Sequence, residues 1–308
     1  MEERFAQAHN SKVSNDEIRW IAAVGNGAMI IQEKGDHLVV IRQSDHAALC
    51  GFFAREWGNC EFTRPEPFES FCLAAGEHDN GWREWELVPR LDLKTRLPYT
   101  FTSIPTEEHI ALYHRGIERL VKIDHYAGLL VSMHCAGLYD RTRATMPGFS
   151  AKYVKSDESQ LVSDFVQQLR LQQLRLKVDV RANAVTKEHS EEKTLQANYQ
   201  RLEALDRLSL YFCLGTLEEA TIDAVPKNDS GYEVDWEVRA EEGNQVALAP
   251  YPFRKDPLEF NLMYRRIPKR VYTDDLDLQK TLARAQYLPM KFTLRAGEVY
   301  AQKHAGAA

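Results

Sequence analysis

Long hydrophobic runs are missing from this sequence: no stretch approaches the roughly 18 consecutive apolar residues of a membrane-spanning helix. Met1 to Asp16 is polar and charged, unlike a secretory signal, so the expected location is cytoplasmic with no membrane partner. Cysteine is scarce. The five present (Cys50, Cys60, Cys72, Cys135, Cys213) are odd in number, widely spaced and without a Cys-x-x-Cys pair, which argues against a disulfide framework or a zinc ribbon. They read as reduced core residues. Positive charge is in deficit, with 39 Lys and Arg against 45 Asp and Glu and a net charge of -6. That balance leaves no electrostatic footprint for a nucleic-acid backbone and points to a small-molecule substrate instead. Gly25-Asn26-Gly27 lacks the third glycine of a dinucleotide loop and reads as a turn, and neither a Gly-x-Ser-x-Gly elbow nor a His-Glu-x-x-His pair occurs.

What is present is a chain of 308 residues, 44% hydrophobic and 27% charged, long enough to bury a sizeable core. Ala28 to Ile31 and Leu38 to Ile41 flank the turn composition Lys34-Gly35-Asp36 and predict a hairpin. Ser44 and Asp45 then open a helix with apolar positions Ala47, Cys50, Phe53, Ala54 and Trp57, stopped by Gly58 and Asn59. A second helix after Pro67 carries Phe68, Phe71, Cys72 and Ala75 on one face and ends at His78 and Asp79. Pro89 to Pro105 is a long loop, of the kind that walls or covers a site. Helices are expected at Thr106 to Lys122, His125 to Tyr139, Glu158 to Val180 and Glu191 to Leu217. Beyond Gly215, short β-like runs such as Gly231 to Arg239 and Gln245 to Ala249 are broken by Pro250, Pro252 and Pro257, and a small sheet is expected there.

The positions of a few histidines and aspartates carry the chemistry. His46 lies on the stripe of Cys50, Phe53 and Trp57, and His78 and Asp79 continue the stripe of Phe71, Cys72 and Ala75. His134 stands with Ala127, Leu130, Val131 and Leu138, and Asp206 with Leu195, Tyr199, Leu202, Ser209 and Cys213. A lone inward histidine is usually a satisfied core residue. Two inward aspartates are different, because a buried unpaired charge costs several kcal/mol (order of magnitude) unless a partner or a metal compensates it. Imidazole and carboxylate from facing helices are common donors to zinc, iron and manganese.

This order, a lone His, a His-Asp pair, a further His and a distant Asp, resembles the HD superfamily of metal-dependent phosphohydrolases between about Gln43 and Leu217. The resemblance implies a mainly α fold: an HD-type helical bundle with a small antiparallel β-sheet made by the N-terminal hairpin and the C-terminal segment. The corresponding organisation is a hairpin segment over 1–43, a metal-binding core over 44–217 and a β-rich extension over 218–308. It also implies one metal on His46, His78, Asp79 and Asp206. By the same resemblance Asp79 would bridge to a second ion held by His134 and by either His109 or His114, and His109, near the start of its helix, is favoured. The cofactor would be one or two divalent transition metals (Fe, Mn or Zn), with Asp79 and His134 as catalytic groups. More narrowly, Ser44-Asp45-His46-Ala47, His78-Asp79-Asn80-Gly81-Trp82 and Leu130-Val131-Ser132-Met133-His134 look like a bacterial family catalogued only as a domain of unknown function.

One departure bears on the reaction. Several HD subfamilies carry Lys after His-Asp-x-Gly as a phosphate contact, and Trp82 stands there in this chain. Trp82 and Trp85 suit an aromatic wall, while Arg83, Arg141 and Arg143 are candidate contacts to an anion. The leading expectation is a phosphohydrolase acting on a small phosphate ester or nucleotide-like substrate. A diiron oxygenase with the same ligands is the alternative, and binding of a nucleotide or partner without turnover ranks third.

Overall fold

The computed structural model describes residues 29–139 and 159–298. Gly25-Asn26-Gly27, Ala28, Arg141, Arg143 and Glu158 lie outside the described residues. The hairpin is β1 (Ile30–Lys34) and β2 (His37–Ile41), paired from Ile30↔Ile41 to Lys34↔His37. Helix α1 (Gln43–Glu56) follows at once, its first turn clamped by Arg42, which donates to Asp45 at 2.8 and 2.9 Å. Then come α2 (Phe68–Glu77), a single tight turn at Asn80–Trp82 and the short α3 (Arg83–Leu87).

The middle of the chain is helical: α4 (Thr106–Val121), α5 (His125–Tyr139), α6 (Ser159–Ala182) and α7 (Glu192–Leu214). Helices α5 and α7 are buried nearly all round, 11 of 15 and 17 of 23 residues respectively, so they form the centre of the helical layer. Helix α7 stops three residues earlier than its periodicity suggests, because Gly215 adopts φ 65°, a left-handed C-cap that costs glycine nothing.

The expectation of a mainly α protein with a small antiparallel sheet is incorrect. About half of the described residues are helical and nearly a quarter are strand, in one curled, mixed sheet of seven strands. Its order is β1-β2-β6-β7-β5-β4-β3, with β3 (Ala220–Pro226), β4 (Glu233–Ala240), β5 (Gln245–Ala249), β6 (Leu258–Pro268) and β7 (Tyr287–Ala296). β5 and β7 run parallel and every other neighbour is antiparallel. Helix α8 (Asp275–Arg284) connects β6 to β7, and the N-terminal hairpin joins through β2 and β6.

The prolines that make this region look broken lie largely at joins between strands. Within β6, Leu258, Phe260 and Leu262 are buried while Glu259 and Asn261 face out, the alternation of a sheet with one wet face. That inner face packs on α1 and α7. Phe53 and Phe212 meet Phe260 at 5.2 and 5.0 Å between ring centroids, Phe212 meets Phe292 at 5.1 Å, and Trp57 meets Trp236 at 5.5 Å. Each such buried aromatic contributes about 1.5–3 kcal/mol. The sheet therefore backs the two helices that carry His46 and Asp206. The Pro89–Pro105 loop is pinned to the sheet side, where Met29 donates to the Tyr99 carbonyl at 2.8 Å and Leu91 to Asp275 at 2.8 Å.

Candidate metal centre

Three helices converge on one buried spot. His46 and Cys50 are one turn apart on α1, His78 caps the end of α2 with Asp79 next to it, and Asp206 lies on the buried face of α7. The approach of α4 to the His78–Trp82 turn depends on Gly81, where a Cβ would sit 2.0 Å from the Leu112 carbonyl oxygen. Asn80 ties that turn down by donating to the carbonyls of Glu77 and Gly116 at 2.7 and 3.1 Å. His109 enters from the first turn of α4 and His134 from α5. All six residues expected to be ligands are buried.

The donor atoms of His46, Cys50, His78 and Asp206 all lie within 4.8 Å of one another, a buried group able to hold a metal ion. His46 Nε2 is 2.7 Å from Asp206 Oδ1. His78 Nε2 stands 3.5 Å from Asp206 Oδ1 and 3.6 Å from Asp79 Oδ2, beyond good hydrogen-bond length, and has no hydrogen-bond partner. The His134 ring packs edge-on against His78 at 5.1 Å, so it borders the group. His109 reaches it through Tyr113, whose ring lies 4.9 Å from His109 and 6.5 Å from His134.

All four rings are engaged through Nδ1. His46 Nδ1 bonds Ser209 Oγ at 2.7 Å, and that hydroxyl donates onward to the His46 carbonyl at 2.9 Å. His78 Nδ1 donates to the Ala75 carbonyl at 2.9 Å. His134 Nδ1 is paired with Glu203 and His109 Nδ1 with the Tyr139 hydroxyl, both in close contact. A histidine held through Nδ1 presents Nε2, which is how metal-binding histidines are positioned. Asp79 is held as well, Oδ1 accepting from Tyr113 at 3.0 Å and Oδ2 from Gln43 at 3.2 Å.

Electrostatically, the buried carboxylates and imidazoles of the centre shift one another strongly. Burial alone would raise the Asp206 carboxyl, but the hydrogen bond with His46 and the charges of His46 and His78 hold it well below the usual range. For His78, burial favours the neutral ring, yet Asp79 and Asp206 lift it to about 9. Burial likewise opposes, and Glu203 outweighs it, in raising His134. His109 goes the other way, to about 3, through burial and the neighbouring His134. Burial and the Asp206 charge push the Cys50 thiol well up.

Other expected residues lie apart. His114 packs on Phe165 of α6, with ring centroids 4.8 Å apart. Trp82 and Trp85 are buried, Trp82 against His109 at 5.6 Å, and neither indole N–H has an acceptor among the described residues. Arg83 is on the exposed surface, where it donates to Glu77 at 2.7 Å. Cys50, Glu203, Tyr113 and Gln43 were not singled out as functional from the sequence. Their signal was spacing: Glu203 precedes Asp206 by three residues on α7, Cys50 follows His46 by four, and Tyr113 follows His109 by four.

A helical layer backed by a curled mixed sheet, with histidine, cysteine and carboxylate donors buried at its centre, describes the class of this protein. The chain belongs to the family described as protein of unknown function (DUF3891), matched over residues 29–269. It matches no curated protein and no solved structure. No helix among the described residues is long and apolar enough to cross a membrane.

Proposed function

We propose that this chain is a metal-dependent hydrolase of the HD type, acting on a small phosphate ester or nucleotide-like substrate. The observation that carries the reading is that His46, His78, His109 and His134, all buried, are each engaged through Nδ1, which leaves Nε2 as the nitrogen to offer a metal. His46, His78, Asp79 and Asp206 would hold one divalent ion, and His109 and His134 a second, with Asp79 between them. Zinc, iron and manganese suit such donors. An ion of this kind supplies Lewis acidity, polarising a phosphoryl oxygen and lowering the pKa of water.

The chain's own residues do the remaining work. Glu203 fixes Nδ1 of His134, so Nε2 of that ring is the nitrogen offered to the second ion. Tyr113 and Gln43 hold the two oxygens of Asp79. The buried indole N–H groups of Trp82 and Trp85 are donors for an oxygen of the substrate, and their rings exclude water. The test is phosphate release from a panel of phosphomonoesters and phosphodiesters with zinc, manganese or iron, abolished in a His78→Ala, Asp79→Ala double variant. No release with any metal overturns the proposal.

A second reading, a diiron oxygenase of HD type acting on a small organic substrate, is favoured by Trp82 standing where a phosphate-binding lysine is absent and by Arg83 being engaged with Glu77. A pair of irons in aerobically purified protein, with oxygen consumption and no phosphate release, selects it.

A further inference from the structure

Cys50 is the least expected member of the buried group. Its Sγ and the donor atoms of His46, His78 and Asp206 are mutually within 4.8 Å, whereas Asp79 is not in that set. Both Asp79 oxygens already accept hydrogen bonds, from Tyr113 and Gln43. An independent observation points into the same space: His78 Nε2 is fully buried and without a hydrogen-bond partner, although its Nδ1 is satisfied by Ala75. Cys50 Sγ donates to the Leu205 carbonyl at 3.4 Å, a weak bond that is given up easily.

We infer that Cys50 is a metal ligand, completing a set of two imidazoles, one carboxylate and one thiolate that selects a borderline-soft divalent ion, zinc foremost. The inference rests on the metal reading above and names the ion at its first position. On binding, the Cys50 S–H bond is replaced by a sulfur–metal bond, the proton leaves to solvent, and no electron is transferred. Zinc is bound by all three donor types, while magnesium and calcium prefer oxygen. Cys50 thereby takes the place given to Asp79 at the first position above, and Asp79 serves the second with His109 and His134.

The experiment loads the full chain with cobalt(II) and records its absorption spectrum. A sulfur-to-cobalt charge-transfer band in the near ultraviolet is expected, lost in Cys50→Ser and kept in Cys213→Ser, with cobalt affinity down tenfold or more in Cys50→Ser. X-ray absorption of the zinc-loaded wild type is expected to show one sulfur at about 2.3 Å; it decides the matter if Cys50→Ser fails to fold. Bound cobalt or zinc without sulfur, or a band that survives in Cys50→Ser, overturns the cysteine assignment alone. A wild-type chain that takes up neither metal overturns the metal reading with it.

Discussion

Replacing Asp206 with asparagine preserves side-chain shape and removes one charge from the point where two imidazoles converge. Asp206 Oδ1 is 2.7 Å from His46 Nε2 and 3.5 Å from His78 Nε2, and the residue is buried. A neutral amide oxygen there is a poor donor to a divalent ion. The loss of a partner that merely orients a ligand weakens metal binding about 10- to 100-fold, so loss of a ligand itself is expected to cost at least about 100-fold. With free metal at 100 times the dissociation constant, binding stabilises the fold by about 2.7 kcal/mol; after that loss the same metal concentration gives only about 0.4 kcal/mol. The difference of about 2.3 kcal/mol, at roughly 2 °C per kcal/mol for a chain of this size, removes about 5 °C of metal-dependent stabilisation. Elemental analysis and thermal unfolding of chelated and metal-reloaded protein measure both effects. Wild-type metal content and an undiminished thermal shift in Asp206→Asn refute the reasoning, as does a wild-type chain that gains nothing from any divalent metal.

Glu203→Gln, which weakens the hold on His134 Nδ1, is expected to lower activity or occupancy of the second ion 10- to 100-fold (order of magnitude) with little change in far-ultraviolet circular dichroism. Unchanged titration calorimetry and turnover remove Glu203 as a positioning residue. Gly81→Ala drives a methyl into the Leu112 carbonyl and should destabilise the chain by about 3 kcal/mol, read from the urea midpoint; a wild-type midpoint shows that α4 yields at no cost. Burial raises the Glu86 carboxyl above its ordinary 4.5, against the Ser44 bonds that lower it. The folded state therefore binds the proton more tightly, and the penalty for the charged form is relieved as pH falls through the folded value toward 4.5. Wild-type stability relative to Glu86→Gln should rise over that window, and parallel denaturation profiles argue against a carboxyl raised by desolvation.

Much of the helical layer was legible because apolar residues recur at helical spacing, on one face in α4 and nearly all round in α5 and α7. His46, His78, His134 and Asp206 fall on those faces, and their burial follows from the pattern alone. The partners that orient them were hidden. Glu203 lies 69 residues from His134 and Ser209 lies 163 from His46, so no local pattern links either pair. The sheet was misjudged for a related reason: β2 pairs with β6 more than 200 residues away, as Val40↔Arg265 shows.

The amino-acid order by itself determined which residues turn inward, since hydrophobic burial acts on the period of each helix and carries any His or Asp on that stripe into the core. Only the tertiary structure decided which of those inward groups meet. The packing of α1, α2 and α7 against a seven-stranded sheet brings His46, Cys50, His78 and Asp206 within 4.8 Å, and leaves His114 against Phe165 and Arg83 on the surface. Distances of that kind depend on contacts between segments far apart in the chain, and such contacts leave no local mark on the residues they join.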